Sequence, residues 1–98
     1  MLKKSYSKTG KKCRVTFKLP AEANAEEVAL VGDFNEWDET ANPMKKLKDG
    51  SFSVSLSLDS DQTYRFRYLL DGERWENDWE PDGYAKNEHG TEDSLAEL

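Results

Sequence analysis

Three tryptophans are the residues of this chain best suited to molecular recognition. Trp37 follows the acidic stretch Asp-Phe-Asn-Glu, and Trp75 and Trp79 lie in a second acidic stretch, residues 71–79. None of the three belongs to an alternating apolar pattern of the kind that marks a core strand. An indole face is flat, apolar and electron-rich, so it can stack on the C–H face of a pyranose ring. We interpret the rings as a candidate sugar platform; the alternative for each is a plug at one end of the fold.

A stacked sugar also needs hydrogen-bonding partners around the edge of its ring. Arg67 offers several N–H donors in a fixed fork and is the first candidate. Arg65 alternates with Arg67, shares its polar face and is a second-rank candidate. An open platform of this kind gains modest energy, so we expect a dissociation constant of roughly 10 µM to 1 mM.

Catalysis is not favoured by the residues that are present. His89 is the sole histidine, and its neighbours form no metal-ligand spacing. No serine lies in a nucleophile motif, and no glycine-rich loop could hold a phosphate. Carboxylate pairs are numerous, but a domain this small rarely encloses the deep cleft that a glycosidase needs. We expect a protein that is not an enzyme and that uses neither a metal nor a cofactor.

Charge is distributed unevenly along the 98 residues, whose length fits one domain. The net charge is −6, yet residues 1–18 hold seven Lys or Arg and no acid. The acidic remainder argues against nucleic acid as the main partner. Residues 1–12 are expected to be a flexible basic leader, with a weak anion-binding arm as the alternative, and residues 13–98 to be the folded domain.

The single cysteine, Cys13, excludes an internal disulfide, and a cytoplasmic setting is expected. No apolar run follows the first four residues, so no signal peptide is expected. No apolar segment approaches the length of a membrane span, and no membrane partner is expected.

Short alternating segments separated by Gly, Pro, Asn and Asp predict an all-β fold. Asp-Gly pairs at 49–50 and 71–72 predict tight turns, residues 77–90 an irregular crossing, and residues 91–98 a last strand. About seven strands in one domain favour an immunoglobulin-like antiparallel β-sandwich. The alternation predicts that the following side chains face the core: Val15, Phe17, Leu19, Tyr64, Phe66, Tyr68 and Leu70.

Two motifs, Gly-Asp-Phe-Asn-Glu-Trp at 32–37 and Leu-Asp-Gly-Glu-Arg-Trp at 70–75, resemble those of carbohydrate-binding module family 48. This is the glycogen-binding, isoamylase N-terminal early-set domain, found in the β subunit of the AMP-activated protein kinase and beside the catalytic barrels of branching and debranching enzymes. The resemblance runs from about residue 13 to residue 95. It implies an immunoglobulin-like sandwich that binds α-1,4-glucan, with Trp37 and Trp75 as stacking residues and Arg67 as the basic contact.

The resemblance extends to a late loop that begins at Gly90. It implies that Thr91 and Asp93 bond sugar hydroxyls and that His89 occupies a position where the kinase subunits carry an apolar residue. Asp93 stands where Asn is usual, and an ionised carboxylate cannot donate a hydrogen bond. These departures weaken the inference for this loop and leave the tryptophans unaffected.

Two further residues are second-rank candidates. Trp79 stands where the family often has Pro; it could extend the platform, although we expect it rather to fill the core. Asn35 is expected to shape its loop through side-chain-to-backbone bonds more than to touch a ligand. Two functions stay open: an α-glucan recognition module, or an interaction domain that packs on a glycan-metabolising enzyme or kinase without binding sugar.

Overall fold

Nine strands and two short 3₁₀ segments make up the computed structural model, which describes residues 1–98. The 3₁₀ segments are Ala21–Ala23 and Asp33–Asn35. The strands are β1 (Leu2–Tyr6), β2 (Lys12–Leu19), β3 (Val28–Gly32), β4 (Lys45–Lys46), β5 (Phe52–Asp59), β6 (Thr63–Leu70), β7 (Arg74–Glu76), β8 (Gly83–Lys86) and β9 (Glu92–Glu97).

The strands form two antiparallel sheets that pack face to face. The first sheet has the order β1-β2-β5-β4, and the second has the order β3-β6-β9-β8. The short strand β7 pairs with the last residues of β6, on the edge opposite β3. Antiparallel pairing throughout fits the short turns between successive strands. The predicted immunoglobulin-like β-sandwich is confirmed, with nine strands where about seven were expected.

The core lies between the two sheets and is built from alternate residues of each strand. The aromatic rings of Phe17 and Phe66 meet edge to face, with centroids 5.1 Å apart. On the first sheet, the predicted inward set of Val15, Phe17 and Leu19 is fully buried. On the second sheet, Phe66, Tyr68 and Leu70 are buried and Tyr64 packs against them at the margin, as predicted.

The expected flexible leader is instead an edge strand in the structure. Residues Leu2–Tyr6 form β1 and pair with β2, from Leu2 opposite Phe17 to Tyr6 opposite Cys13. The pairing satisfies backbone groups along the edge of β2, and Leu2 packs against the core cluster. The segment is therefore held by both hydrogen bonds and apolar burial. Its lysines suggested a solvated terminus, so the sequence alone did not indicate this strand.

The region expected to be an irregular crossing, residues 77–90, contains the regular strand β8. β8 pairs with β9, which confirms the last strand predicted for residues 91–98. No helix in this structure has the length and apolar character needed to cross a lipid bilayer.

Candidate functional site

The outer face of the second sheet carries the polar side chains that the sequence singled out. Because Phe66 and Tyr68 point inward, the intervening residues Arg65 and Arg67 point outward. Trp75 of β7 lies opposite Leu69 of β6 in the register, so its ring emerges on the same outer face. Pairing of β6 with β7 therefore brings Trp75 beside the two arginines.

An apolar floor underlies these side chains. Val31 of β3 lies opposite Arg67 in the register, and both Val31 and Leu69 alternate with core residues and so face outward. Each is nevertheless buried, and neither belongs to the core cluster between the sheets. The outer face is thus covered by its own side chains, which gives the residues above it a firm base.

The loop after β3 positions Trp37 over this face. The indole Nε1 donates to Asp33 Oδ1 at 3.0 Å, and Asp33 Oδ2 accepts the backbone N–H of Arg65 at 2.8 Å. One carboxylate therefore ties the ring to β6. Glu36 and Trp37 both have positive φ, at 56° and 57°, a left-handed conformation that is unusual for residues with side chains.

Asn35 holds this loop closed. Its Oδ1 accepts the N–H of Gly32 at 3.1 Å, and its Nδ2 donates to the carbonyl of Leu30 at 3.0 Å and to Asn42 Oδ1 at 2.8 Å. The amide thus bonds on both sides of the loop, and Asn35 does not border the hollow described below. This arrangement fits the loop-shaping role that we expected.

These elements surround an open hollow of about 700 Å³ on the outer face of the second sheet. Six of the residues predicted from the sequence border it: Trp37, Arg65, Arg67, Trp75, His89 and Asp93. Four residues that sequence reasoning missed complete the rim: Glu39, Lys86, Asn87 and Glu88. Thr91, Trp79 and Asn35 lie outside it. The two tryptophans proposed to stack therefore share one surface.

Arg67 and Trp75 are in direct contact. The guanidinium carbon lies 5.8 Å from the indole centroid, within the range of a cation–π interaction. Trp75 keeps 40% of its surface exposed. The Nε of Arg67 is buried without a hydrogen-bond partner, a state that few buried donors in proteins occupy.

The β8–β9 hairpin forms the far wall of the hollow, and Asn87 organises it. Its Oδ1 accepts the backbone N–H groups of His89 and Thr91 at 3.0 and 3.2 Å. Its Nδ2 donates to Thr91 Oγ1 at 2.8 Å and to Asp93 Oδ1 at 3.1 Å. The Asn-x-x-Gly spacing of residues 87–90 is a turn signal, and it could have identified Asn87 as the residue that shapes this loop.

Asp93 is only 4% exposed, and both of its oxygens are engaged within the protein. Besides Asn87, it meets Arg65, whose Nη1 lies 3.2 Å from Asp93 Oδ2 and also donates to the carbonyl of Lys86. A carboxylate suits this position because its two oxygens accept from both Arg65 and Asn87. An asparagine here would have only one acceptor oxygen. The predicted contact of Asp93 with sugar stays a prediction, and the ion pair with Arg65 is its observed role.

Trp79 was expected to fill the core, and that expectation is wrong. Trp79 is 50% exposed, whereas the preceding residue, Asp78, is 1% exposed. The backbone therefore turns the carboxylate inward and the indole outward.

The hollow is electrically balanced. Three cationic side chains, those of Arg65, Arg67 and Lys86, face three carboxylates, those of Glu39, Glu88 and Asp93. His89 adds an exposed imidazole beside Glu88, at 3.9 Å. Balanced donors and acceptors around flat aromatic rings suit a neutral, polyhydroxylated ligand better than a charged one.

Comparison with known proteins agrees with this geometry. The model of the family described as carbohydrate-binding module 48 (isoamylase N-terminal domain) matches residues 5–85. The chain is 38% identical over 66 residues to the 1,4-alpha-glucan branching enzyme GlgB of Aquifex aeolicus, an alignment covering 66% of this chain and 10% of that enzyme. It is 54% identical over 33 residues to the 1,4-alpha-glucan-branching enzyme of Emericella nidulans, an alignment covering 34% of this chain and 5% of that enzyme. The chain thus spans about a tenth or less of these relatives.

Proposed function

The chain belongs to the carbohydrate-binding module 48 (isoamylase N-terminal domain) family, and from that premise we propose that it binds α-1,4-glucan chains without catalysing their reaction. The ligand would be a maltooligosaccharide or a chain end of a glycogen- or starch-like polymer. The outer face of the second sheet would hold it.

One observation carries this proposal: Trp37, Trp75 and Arg67 border the same open hollow. Both rings are anchored, since Trp37 is hydrogen-bonded to Asp33 and Trp75 lies in a strand against Arg67. Rings that are fixed before binding lose little conformational entropy on contact with a sugar. Two glucose units of one chain could therefore stack on two prearranged surfaces.

The polar rim supplies what the edges of a sugar ring require. Lys86 and Arg67 can donate to hydroxyl oxygens, and the carboxylates of Glu39 and Glu88 can accept from hydroxyl hydrogens. The hollow is wide and open, so a polymer chain could enter and leave it. This arrangement supports binding more than hydrolysis, which needs a walled cleft and a positioned pair of carboxylates.

Calorimetric titration with maltoheptaose tests the proposal. We expect wild-type protein to bind with a dissociation constant of roughly 10 µM to 1 mM, and the β-linked cellohexaose to bind at least about tenfold more weakly. Trp37→Ala should weaken maltoheptaose binding by about tenfold or more, because it removes one of the two stacking surfaces. Thermal unfolding of the variant provides the folding control.

The outcome that contradicts the proposal is equally definite. Wild-type protein that gives no heat and no change in tryptophan emission at millimolar maltoheptaose does not bind glucan through this face.

A second candidate function is a docking domain for a glycan-metabolising enzyme or kinase. The observation that favours it is the short span of the match, since the curated relatives are large enzymes of which this chain covers about a tenth or less. Under this reading, Trp37→Ala and Trp75→Ala would reduce partner capture or stability and would leave glycogen retention unchanged. Affinity electrophoresis of the same variants in a glycogen gel separates the two functions.

A further inference from the structure

Two aromatic side chains outside the hollow are exposed together. Trp79 is 50% exposed and Tyr84 is 48% exposed, in a protein whose other large apolar residues are mostly buried. The hydroxyl of Tyr84 donates to the carbonyl of Asp78 at 2.7 Å, so the tyrosine ring reaches the residue directly before Trp79. The tyrosine therefore contacts the turn that presents Trp79, at the connection between β7 and β8.

The backbone that presents Trp79 is fixed on both sides. Before it, the N–H of Asp78 donates to the buried Ser94 Oγ at 2.8 Å, and the Asp78 carboxylate accepts the Tyr68 hydroxyl at 2.6 Å. After it, the N–H of Glu80 donates to the same carboxylate at 2.8 Å. The indole is thus held outward by a rigid turn anchored in the core, which is the pre-arrangement that a binding surface requires.

This pair is separate from the hollow. Tyr84 lies opposite Ser94 in the register, and Ser94 lies opposite the inward-facing Phe66, so Tyr84 is on the side of the sheet that faces away from the hollow. Trp79 and Tyr84 do not border the hollow, whereas Trp75 does. Trp79 follows Trp75 by four positions, so their Cα atoms are at most about 14 Å apart. A glucan chain would therefore have to pass round the edge of the second sheet, at β8, to reach Tyr84 from the hollow.

We propose that Trp79 and Tyr84 form a second contact site for α-glucan, distinct from the hollow that contains Trp37 and Trp75. This inference rests on the proposed function, and it adds a second point of attachment to the same polymer. Glu80, whose side chain makes no hydrogen bond or ion pair within the protein, stands beside Trp79 as an acceptor for sugar hydroxyls.

The size of the patch favours a sugar over a protein as its occupant. Half-exposed Trp and Tyr side chains together offer roughly 200 Å² of surface. A specific protein–protein interface needs about 800 Å² on each partner. Two stacked sugar rings need far less, and flat exposed aromatic faces are the surfaces on which they stack.

Two sites on one small module change how it behaves on a branched polymer. Maltoheptaose would occupy the sites one at a time, whereas separate chains of one glycogen particle would engage both at once. Linked binding events raise the apparent affinity by about 10²- to 10⁴-fold where the geometry permits both. The second site would therefore contribute more to retention on glycogen than to the affinity for a short oligosaccharide.

The composition of the chain provides a direct test. It contains only three tryptophans, so the double variant Trp37→Ala/Trp75→Ala leaves Trp79 as the single indole. Maltoheptaose is titrated into this variant while the indole N–H signal of ¹⁵N-labelled protein and the tryptophan emission are followed. We expect the one indole signal to shift with saturation at millimolar sugar, and cellohexaose to leave it unchanged.

Trp79→Ala supplies the complementary measurement. It should reduce retention in a glycogen gel by at least about tenfold while it changes the maltoheptaose affinity of the hollow by less than about twofold. Tyr6→Ala is the matched control, since Tyr6 is equally exposed, at 50%, but belongs to β1. It should behave as wild type.

The result that overturns the second site is an unchanged indole signal in the double variant together with unchanged glycogen retention by Trp79→Ala. If that occurs while wild-type protein still binds maltoheptaose, the hollow alone binds glucan. Loss of partner capture by Trp79→Ala with unaltered sugar binding would assign the patch to a protein and would likewise overturn this inference.

Discussion

Replacement of Trp75 by alanine is the perturbation whose effect the structure allows to be calculated. The residue is 40% exposed. Because a tryptophan side chain presents up to about 250 Å², a sugar that covered the exposed part would remove about 100 Å² from water. At about 25 cal/mol per Å², this burial is worth about 2.5 kcal/mol. Trp75→Ala should therefore weaken maltoheptaose binding by up to about 60-fold.

Calorimetry at one pH and temperature measures this change. Trp75→Tyr is the matched variant, because a phenol keeps a flat apolar face beside Arg67 and should retain most of the affinity. Arg67→Ala should also weaken binding, since its guanidinium lies 5.8 Å from the indole centroid and supports the ring. Thermal unfolding should show that Trp75→Ala remains folded, because the ring lies on the outer face of the sheet and not in the core between the sheets.

The reasoning would be refuted by a folded Trp75→Ala protein that binds maltoheptaose within about twofold of wild type. Such a result would mean that the exposed indole face is not the surface that the sugar covers. An equal loss in Trp75→Tyr would contradict stacking and would indicate a specific role for the indole N–H.

Two further predictions concern the frame that positions the site. A Cβ added by Gly32→Ala would overlap the carbonyl oxygen of Arg65. Urea unfolding should therefore show that this variant loses about 1–3 kcal/mol or more of folding free energy. Gly83→Ala is the control and should be nearly neutral, because its added Cβ meets nothing nearer than 3.5 Å. The pKa of Asp71 is lowered because its carboxylate accepts the backbone N–H groups of Glu27 and Glu26. Its stabilising contribution is therefore complete above the unfolded-state pKa near 3.9 and is lost as the pH falls below about 4. Thermal midpoints at pH 7 and pH 3 should differ less in Asp71→Asn than in wild type; an equal difference would contradict this linkage.

The main strands were predictable because alternation is a strong signal wherever one face of a strand is buried. In β2, every second residue from Cys13 to Leu19 is buried, and in β6 the inward aromatics follow the same period. The Asp-Gly turn at 71–72 was also predictable, and it joins β6 to β7 as a hairpin. These features are local, so the sequence of each segment is enough to reveal them.

What could not be predicted depends on contacts between distant segments. β1 exists because its backbone matches the free edge of β2, and its lysines give no sign of that pairing. Trp79 is exposed because Asp78 takes the inward position beside the hydroxyl of Tyr68. Residue type alone predicts that tryptophan is buried and aspartate exposed. It does not reveal that Tyr68, ten residues earlier, hydrogen-bonds the carboxylate of Asp78.

The candidate site shows the same division. Trp37, Trp75 and Arg67 were predicted from residue type and from the resemblance to a known family, and they meet at one hollow. Glu39 was missed because it lies in the long loop after β3, and Lys86, Asn87 and Glu88 were missed because they lie at the end of β8 and in the turn that follows it. The last three reach the rim through the pairing of β8 with β9, and of the four only Asn87 carried a local signal, the Asn-x-x-Gly spacing.

Asp93 illustrates how one carboxylate divides the roles of two neighbouring arginines. A carboxylate at this position pairs with Arg65 and holds it against the β8–β9 hairpin, so Arg65 becomes part of the wall. Arg67 makes no corresponding ion pair; its guanidinium lies against Trp75 and its Nε has no partner. Of the two arginines that alternation places on the outer face, Arg67 is therefore the one with donors free for a ligand. Because Asp93 engages Arg65, Arg67 is left to act beside Trp75, the ring proposed to stack on the sugar.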